Sequence, residues 1–164
     1  MLRVFKELID TLTASAAGRP QAPSEQADQL AVAVLLAEVM RAAPQDGTAG
    51  HQPEHQPEHQ AVLQILCRSF ALDSGAAARL FARAQAEAHQ LYDYHRYTSV
   101  LNERFTQPQK IELVEALWTV AYADRRVLAD ENHAISKVAG LLHVTHGEYI
   151  GAKLRAKEAA EDMA

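Results

Sequence analysis

Residues 111–145 read IELVEALWTVAYADRRVLADENHAISKVAGLLHVT, and this stretch decides the fold. Ile111, Val114, Leu117, Trp118 and Ala121 recur at helical spacing, an acidic corner follows from Asp124 to Asp130, and Ile135, Val138, Ala139 and Leu142 resume the helical period. It is a helix, a short turn and a second helix. Residues 30–73 repeat the plan as LAVAVLLAEVMRAA, a long insert, then EHQAVLQILCRSFALD. Apolar positions match when Val39 is laid on Val120, Val62 on Ile135, Ile65 on Val138 and, after one inserted residue, Leu72 on Val144. The echo predicts one domain built from two degenerate helical hairpins.

Working outward, Leu2, Phe5, Leu8, Ile9 and Leu12 predict an amphipathic N-terminal helix over residues 1–13. It could dock on the main domain, on a partner or, at most peripherally, on a membrane surface. Residues 14–23, with Ser15, Gly18, Pro20 and Pro23, read as a linker. Ser24 is expected to cap the next helix, which runs to about Ala43. Pro57 suits the first turn of a helix carrying Val62, Ile65, Leu66 and Phe70, and Asp73 can cap another through Leu80 and Phe81. A fifth, broken from it near Gln90, runs to Phe105. Thr106 with Gln109, and Thr145 with Glu148, spell capping boxes that open two later helices. No strand is needed. The expectation is an all-α, compact bundle of about eight helices, with the main domain at 24–157 and a tail at 158–164.

Composition narrows the function classes. The 164 residues carry 21 acids against 16 bases, a net charge of −5, which argues against a nucleic-acid partner. One cysteine, Cys67, permits no internal disulfide and suits a reducing compartment. It is read as a small buried hydrophobe. No apolar run approaches the ~18 residues of a membrane span. No secretory leader is read at the N-terminus. The expected location is cytoplasmic. No phosphate loop, paired CxxC, HExxH or GxSxG is present.

Two sets of residues could hold a cation. Asp124 ends one helix and Glu131 opens the next, so a hairpin brings both to one end of the bundle, where hard divalent ions find oxygen ligands. The structural alternative is that Asp124 forms an Asx-turn, Glu131 complements a helix dipole, and Arg125 or Arg126 supplies the positive charge. The unit His-Gln-Pro-Glu occurs at 51–54 and 55–58, with His59-Gln60 starting a third copy. His51, His55 and His59 could capture zinc, copper or nickel, although the repetition reads more simply as expansion of a tolerated loop. Trp118 and Tyr122, four apart, read as packing. Tyr92, Tyr94 and Tyr97 with His95 and Arg96 read as packing rather than base stacking.

The run LWTVAYAD, the seven residues from Asp124 to Asp130 leading to Glu131, and IxxVAGLLHV resemble the TerB-like family associated with tellurite resistance. The resemblance is closest to its small uncharacterised bacterial members. Leu91-Tyr92, Tyr97-Thr98-Ser99, Asn102-Glu103 and Phe105 suit the same pattern, and the likeness covers roughly residues 25–156. It implies a helical module with acidic hairpin corners that bind a divalent metal ion of unknown identity, in tellurite or other chemical stress, with no enzymatic activity. Carried across, the family's Asp-Gly corner falls on Asp124 and Arg125 and its following Glu on Glu131. In the first half the corner falls on Ala43, unless the insert lets Asp46-Gly47 take its place, and the matching Glu is Glu58. The implied ligands are Asp124, Glu131, Glu58 and Asp46. The expected role is a metal-sensing or scaffold component with a protein partner. The alternatives are an interaction domain whose metal site has decayed and, third, a metal-dependent hydrolase.

Overall fold

A computed structural model of the chain describes residues 23–42, 56–88 and 93–163. Seven helices lie among them: α1 Pro23–Ala42, α2 Gln56–Phe70, α3 Ser74–Ala88, α4 His95–Arg104, α5 Gln107–Ala121, α6 Ala129–Leu141 and α7 His146–Asp162. No strand occurs among the described residues, as the helical periodicity requires. The eighth expected helix, at Leu2 to Leu12, lies outside them.

α1 is the axis of the bundle. It packs against α2, α3, α4, α5 and α6. Accordingly every residue from Ala31 to Val39 is buried, Glu38 among them. A helix that is apolar all round has no solvent face to offer, so the run Leu30 to Ala37 belongs at the centre. α5 is the second axis, touching α1, α2, α6 and α7, with Leu113, Val114, Leu117, Trp118, Val120 and Ala121 buried. The register that lays Val39 on Val120 also lays Gln29 on Lys110, and both are buried.

Local chemistry explains most helix ends. The Thr106 hydroxyl accepts from the Gln109 N–H at 3.4 Å while the Thr106 N–H donates to Gln109 Oε1 at 2.8 Å. Thr145 and Glu148 do the same at 3.3 and 2.8 Å, so both expected boxes form. Asp73 Oδ1 accepts from the Ala76 N–H at 2.7 Å and caps α3. One expectation fails: α1 begins at Pro23, so Ser24 sits inside its first turn and is not the cap. Proline's fixed φ and missing N–H make it a better first residue than serine would be.

α2 and α6 end alike. Ala71 and His143 both adopt left-handed backbone, φ 51° and 58°. Behind them the Leu72 N–H donates to the Cys67 carbonyl at 3.2 Å, and the Val144 N–H to the Ala139 carbonyl at 3.0 Å. These are the six-to-one bonds of Schellman endings. Leu72 and Val144 each take the position that follows such an ending. The two most extensive helix pairings, α1 with α3 and α5 with α7, stand in the same order in the two halves.

The α5–α6 corner and its acids

The chain leaves α5 at Tyr122 and turns through Asp124 and Arg125 before α6. Asp124 is half-buried, and its Oδ1 accepts from the Arg126 N–H at 2.8 Å. This is the Asx-turn that an aspartate after a helix end can make. Arg125 between them is left-handed, φ 65°. A glycine would enter that region at little cost; here an arginine adopts it, and the corner keeps the backbone shape that a glycine allows. Glu131 is the third residue of α6 and fully buried, and its Oε2 accepts from the Leu128 N–H at 2.8 Å. Leu128 has no side-chain acceptor, so only the returning half of a capping box exists.

Glu58 stands in the first turn of α2. It too is the third residue of its helix, and it is 1% exposed. Two fully buried glutamates at corresponding helix starts are unusual, because a buried carboxylate is costly unless its surroundings answer its charge. Sequence reasoning marked both positions but treated neither as interior. Asp46, with Ala43, His51 and His55, lies outside the described residues. His59 is half-buried on α2 with its ring centroid 5.0 Å from that of Phe81. Among the described residues no group of three or more His, Cys, Asp or Glu side chains could hold a metal ion. Asp124, Glu131 and Glu58 therefore do not converge as a three-carboxylate centre.

Beside the corner, Trp118 is buried, with its ring 5.8 Å from Tyr122 and 5.7 Å from Tyr149 and with Lys153 Nζ 4.6 Å above it. Packing is thus the role of Trp118 and Tyr122. Tyr149 Oη donates to Asn132 Oδ1 at 3.2 Å and ties α7 to α6. Cys67 is half-buried against the core rather than fully enclosed.

A second polar cluster, invisible in the linear sequence, forms where α1 meets α4. Arg41 Nε donates to Glu38 Oε2 at 3.1 Å, and the Tyr94 hydroxyl donates to Glu38 Oε1 at 3.3 Å. Lys137 Nζ stands 4.9 Å from the centre of the Tyr94 ring. Burial, then the Glu38 charge, pushes the Tyr94 phenol up to about 12. Tyr97 donates to Glu87 and is likewise pushed to about 12, first by burial and then by that bond. Neither tyrosine stacks outward for a base.

Among the described residues no helix is long and apolar enough to cross a membrane. No curated protein and no solved structure matches the chain. A family model described as tellurite resistance protein TerB matches residues 29–154, from the first turns of α1 to the middle of α7. That span takes in both hairpins and the α4 connection between them, so the chain belongs to the TerB family.

Proposed function

We propose that this TerB module works without catalysing a reaction, as a divalent-cation-responsive component of a bacterial response to tellurite or related chemical stress. The observation that carries the reading is the α5–α6 corner. It keeps both family carboxylates, Asp124 and Glu131, and Arg125 holds the left-handed backbone that keeps the loop in shape. The Asp124 carboxylate accepts from the Arg126 N–H and the Glu131 carboxylate from the Leu128 N–H, so both acids are held to the backbone of the loop. Loop carbonyls and solvent would supply the remaining oxygen ligands that calcium, magnesium or manganese require.

A second reading is favoured by the same bonds seen from inside the chain. An Asx-turn and a half capping box are sufficient structural work for two acids, and the module would then serve as a helical scaffold for a protein partner. Thermal unfolding of chelator-treated full-length protein separates the two. On the first reading an ion at a hundredfold excess over its dissociation constant adds about 2.7 kcal/mol, and Asp124→Asn abolishes that gain while leaving the metal-free protein nearly unchanged. A wild type whose midpoint ignores calcium, magnesium, manganese and zinc overturns the cation reading. Asp124→Asn, whose amide oxygen still accepts from the Arg126 N–H, would then change little, Asp124→Ala would destabilise by breaking the turn, and the scaffold remains.

A further inference from the structure

The outer face of α7 changes character along its length. Ile150 and Leu154, one turn apart, are 36% and 51% exposed. Gly151, Lys157, Glu158 and Glu161 share that face, opposite the buried Ala152 and Ala156. The C-terminal part is acidic, and the last turn of α7 holds no base. Glu158, Glu161 and Asp162 thus stand at the negative end of the helix dipole, with Lys157 Nζ 3.8 Å from Glu161 as a loose, exposed partner. The N-terminal part is the positive one. His146 opens the helix. Glu148, the acid of that turn, is committed to the Thr145 N–H and to Gln107. The Arg155 side chain bends back over Gly151: its Nη1 lies 3.2 Å from where a Cβ would stand, while its Nε donates to Glu115 on α5 at 2.8 Å.

We infer that this face of α7 pairs with the same face of a second copy of the chain, antiparallel about a two-fold axis at Leu154. Charge complementarity selects that partner. In an antiparallel pair each residue lies opposite one about equally far beyond the axis. Leu154 then meets its own copy, and Ile150 lies along the aliphatic stems of Lys157 and Glu158 of the second copy. The Glu158 carboxylate of the second copy comes over Gly151, where the missing side chain leaves room beside the Arg155 guanidinium. Glu161 of the second copy reaches the first turn of α7, beside His146 and the positive end of the dipole. Symmetry makes each of these contacts twice. A parallel pair would set acids on acids, and a membrane surface would have to take Glu158 and Glu161 out of water. One helix pair buries less than the ~1,200 Å² of a standard interface, so the association is weak and concentration-dependent.

Sedimentation equilibrium of the full chain, under reducing conditions, tests the pairing. The expected mass moves from one chain at low micromolar concentration toward two chains near millimolar. Leu154→Asp should hold the protein at one chain. Glu158→Lys should weaken the dimer about tenfold, since two like-charge contacts replace two opposite ones. Far-UV circular dichroism should be the same for all three proteins. Cross-linking tests the register and keeps the inference open to refutation if Leu154→Asp fails to fold. A residue on a two-fold axis meets its own copy, whereas Ile150 and its copy would stand about 12 Å apart along the helices. In a Cys67→Ala background, Leu154→Cys should therefore oxidise to a disulfide-linked dimer about tenfold or more faster than Ile150→Cys. A wild type that stays a single chain at every concentration overturns the inference. So does a dimer that survives Leu154→Asp, and so does equal cross-linking at positions 154 and 150.

Discussion

Ala71 is the plainest single-residue case. It is exposed and left-handed at φ 51°, where a Cβ is strained and nothing about the methyl group compensates. Ala71→Gly should raise the unfolding free energy by roughly 0.5–1 kcal/mol, the strain relieved minus the added backbone entropy, read from urea denaturation. The tyrosines make a different statement. Tyr94 and Tyr97 hold their protons to about 12 in the fold, whereas an unfolded tyrosine releases its proton near pH 10. Between those values the unfolded chain binds fewer protons than the native one, so stability falls as pH rises. The contribution is complete below pH ~10 and gone above ~12. Equilibrium denaturation across that window should show a falling free energy, and Tyr94→Phe should flatten the slope while costing the bond to Glu38. Neither residue advertised its role. Ala71 occupies a glycine's position without being one, and Tyr94 meets a carboxylate 56 residues away.

At the scale of the helix, the ends were legible and the faces only partly so. Thr106, Thr145 and Asp73 act on backbone N–H groups three residues on, so the sequence carries the complete instruction for each cap. Thr145→Ala should therefore cost about 1 kcal/mol and shift the thermal midpoint down by some 2–4 °C. α5 shows an apolar period that its burial follows. α1 does not: a run of Ala, Val and Leu reads the same whether one side or every side is enclosed, and only the packing of five neighbours decides it. The acids were legible in position but not in burial. Asp124 was marked by its corner and Glu131 by its first turn, yet nothing in the local sequence marked Glu131 and Glu58 as buried. The start of α1 was misplaced because serine and proline both mark a helix beginning, and proline took the first helical position.

On the scale of the molecule, the early and the late helices share one interior. α1 from the first half contacts α5 and α6 from the second, so neither half closes alone. Leu36→Ala, at a fully buried site on α1, should cost about 3 kcal/mol. The chain's one tryptophan, Trp118, lies in the other half, and its fluorescence should lose its native signal at the same denaturant concentration as the helical circular dichroism. Two separated transitions would mean that the halves unfold independently and that the central helix does not bind them together. The enclosure of α1 also sets a timetable. During synthesis its apolar run leaves the ribosome well before α5, its partner from the second half, has been made. About 80 residues separate the ends of the two helices, and at ~5–20 residues per second the wait is on the order of 4–16 s. For that interval the nascent chain displays an adhesive surface meant for the interior. How well a cell makes this protein thus depends on what shields that surface until α5 arrives.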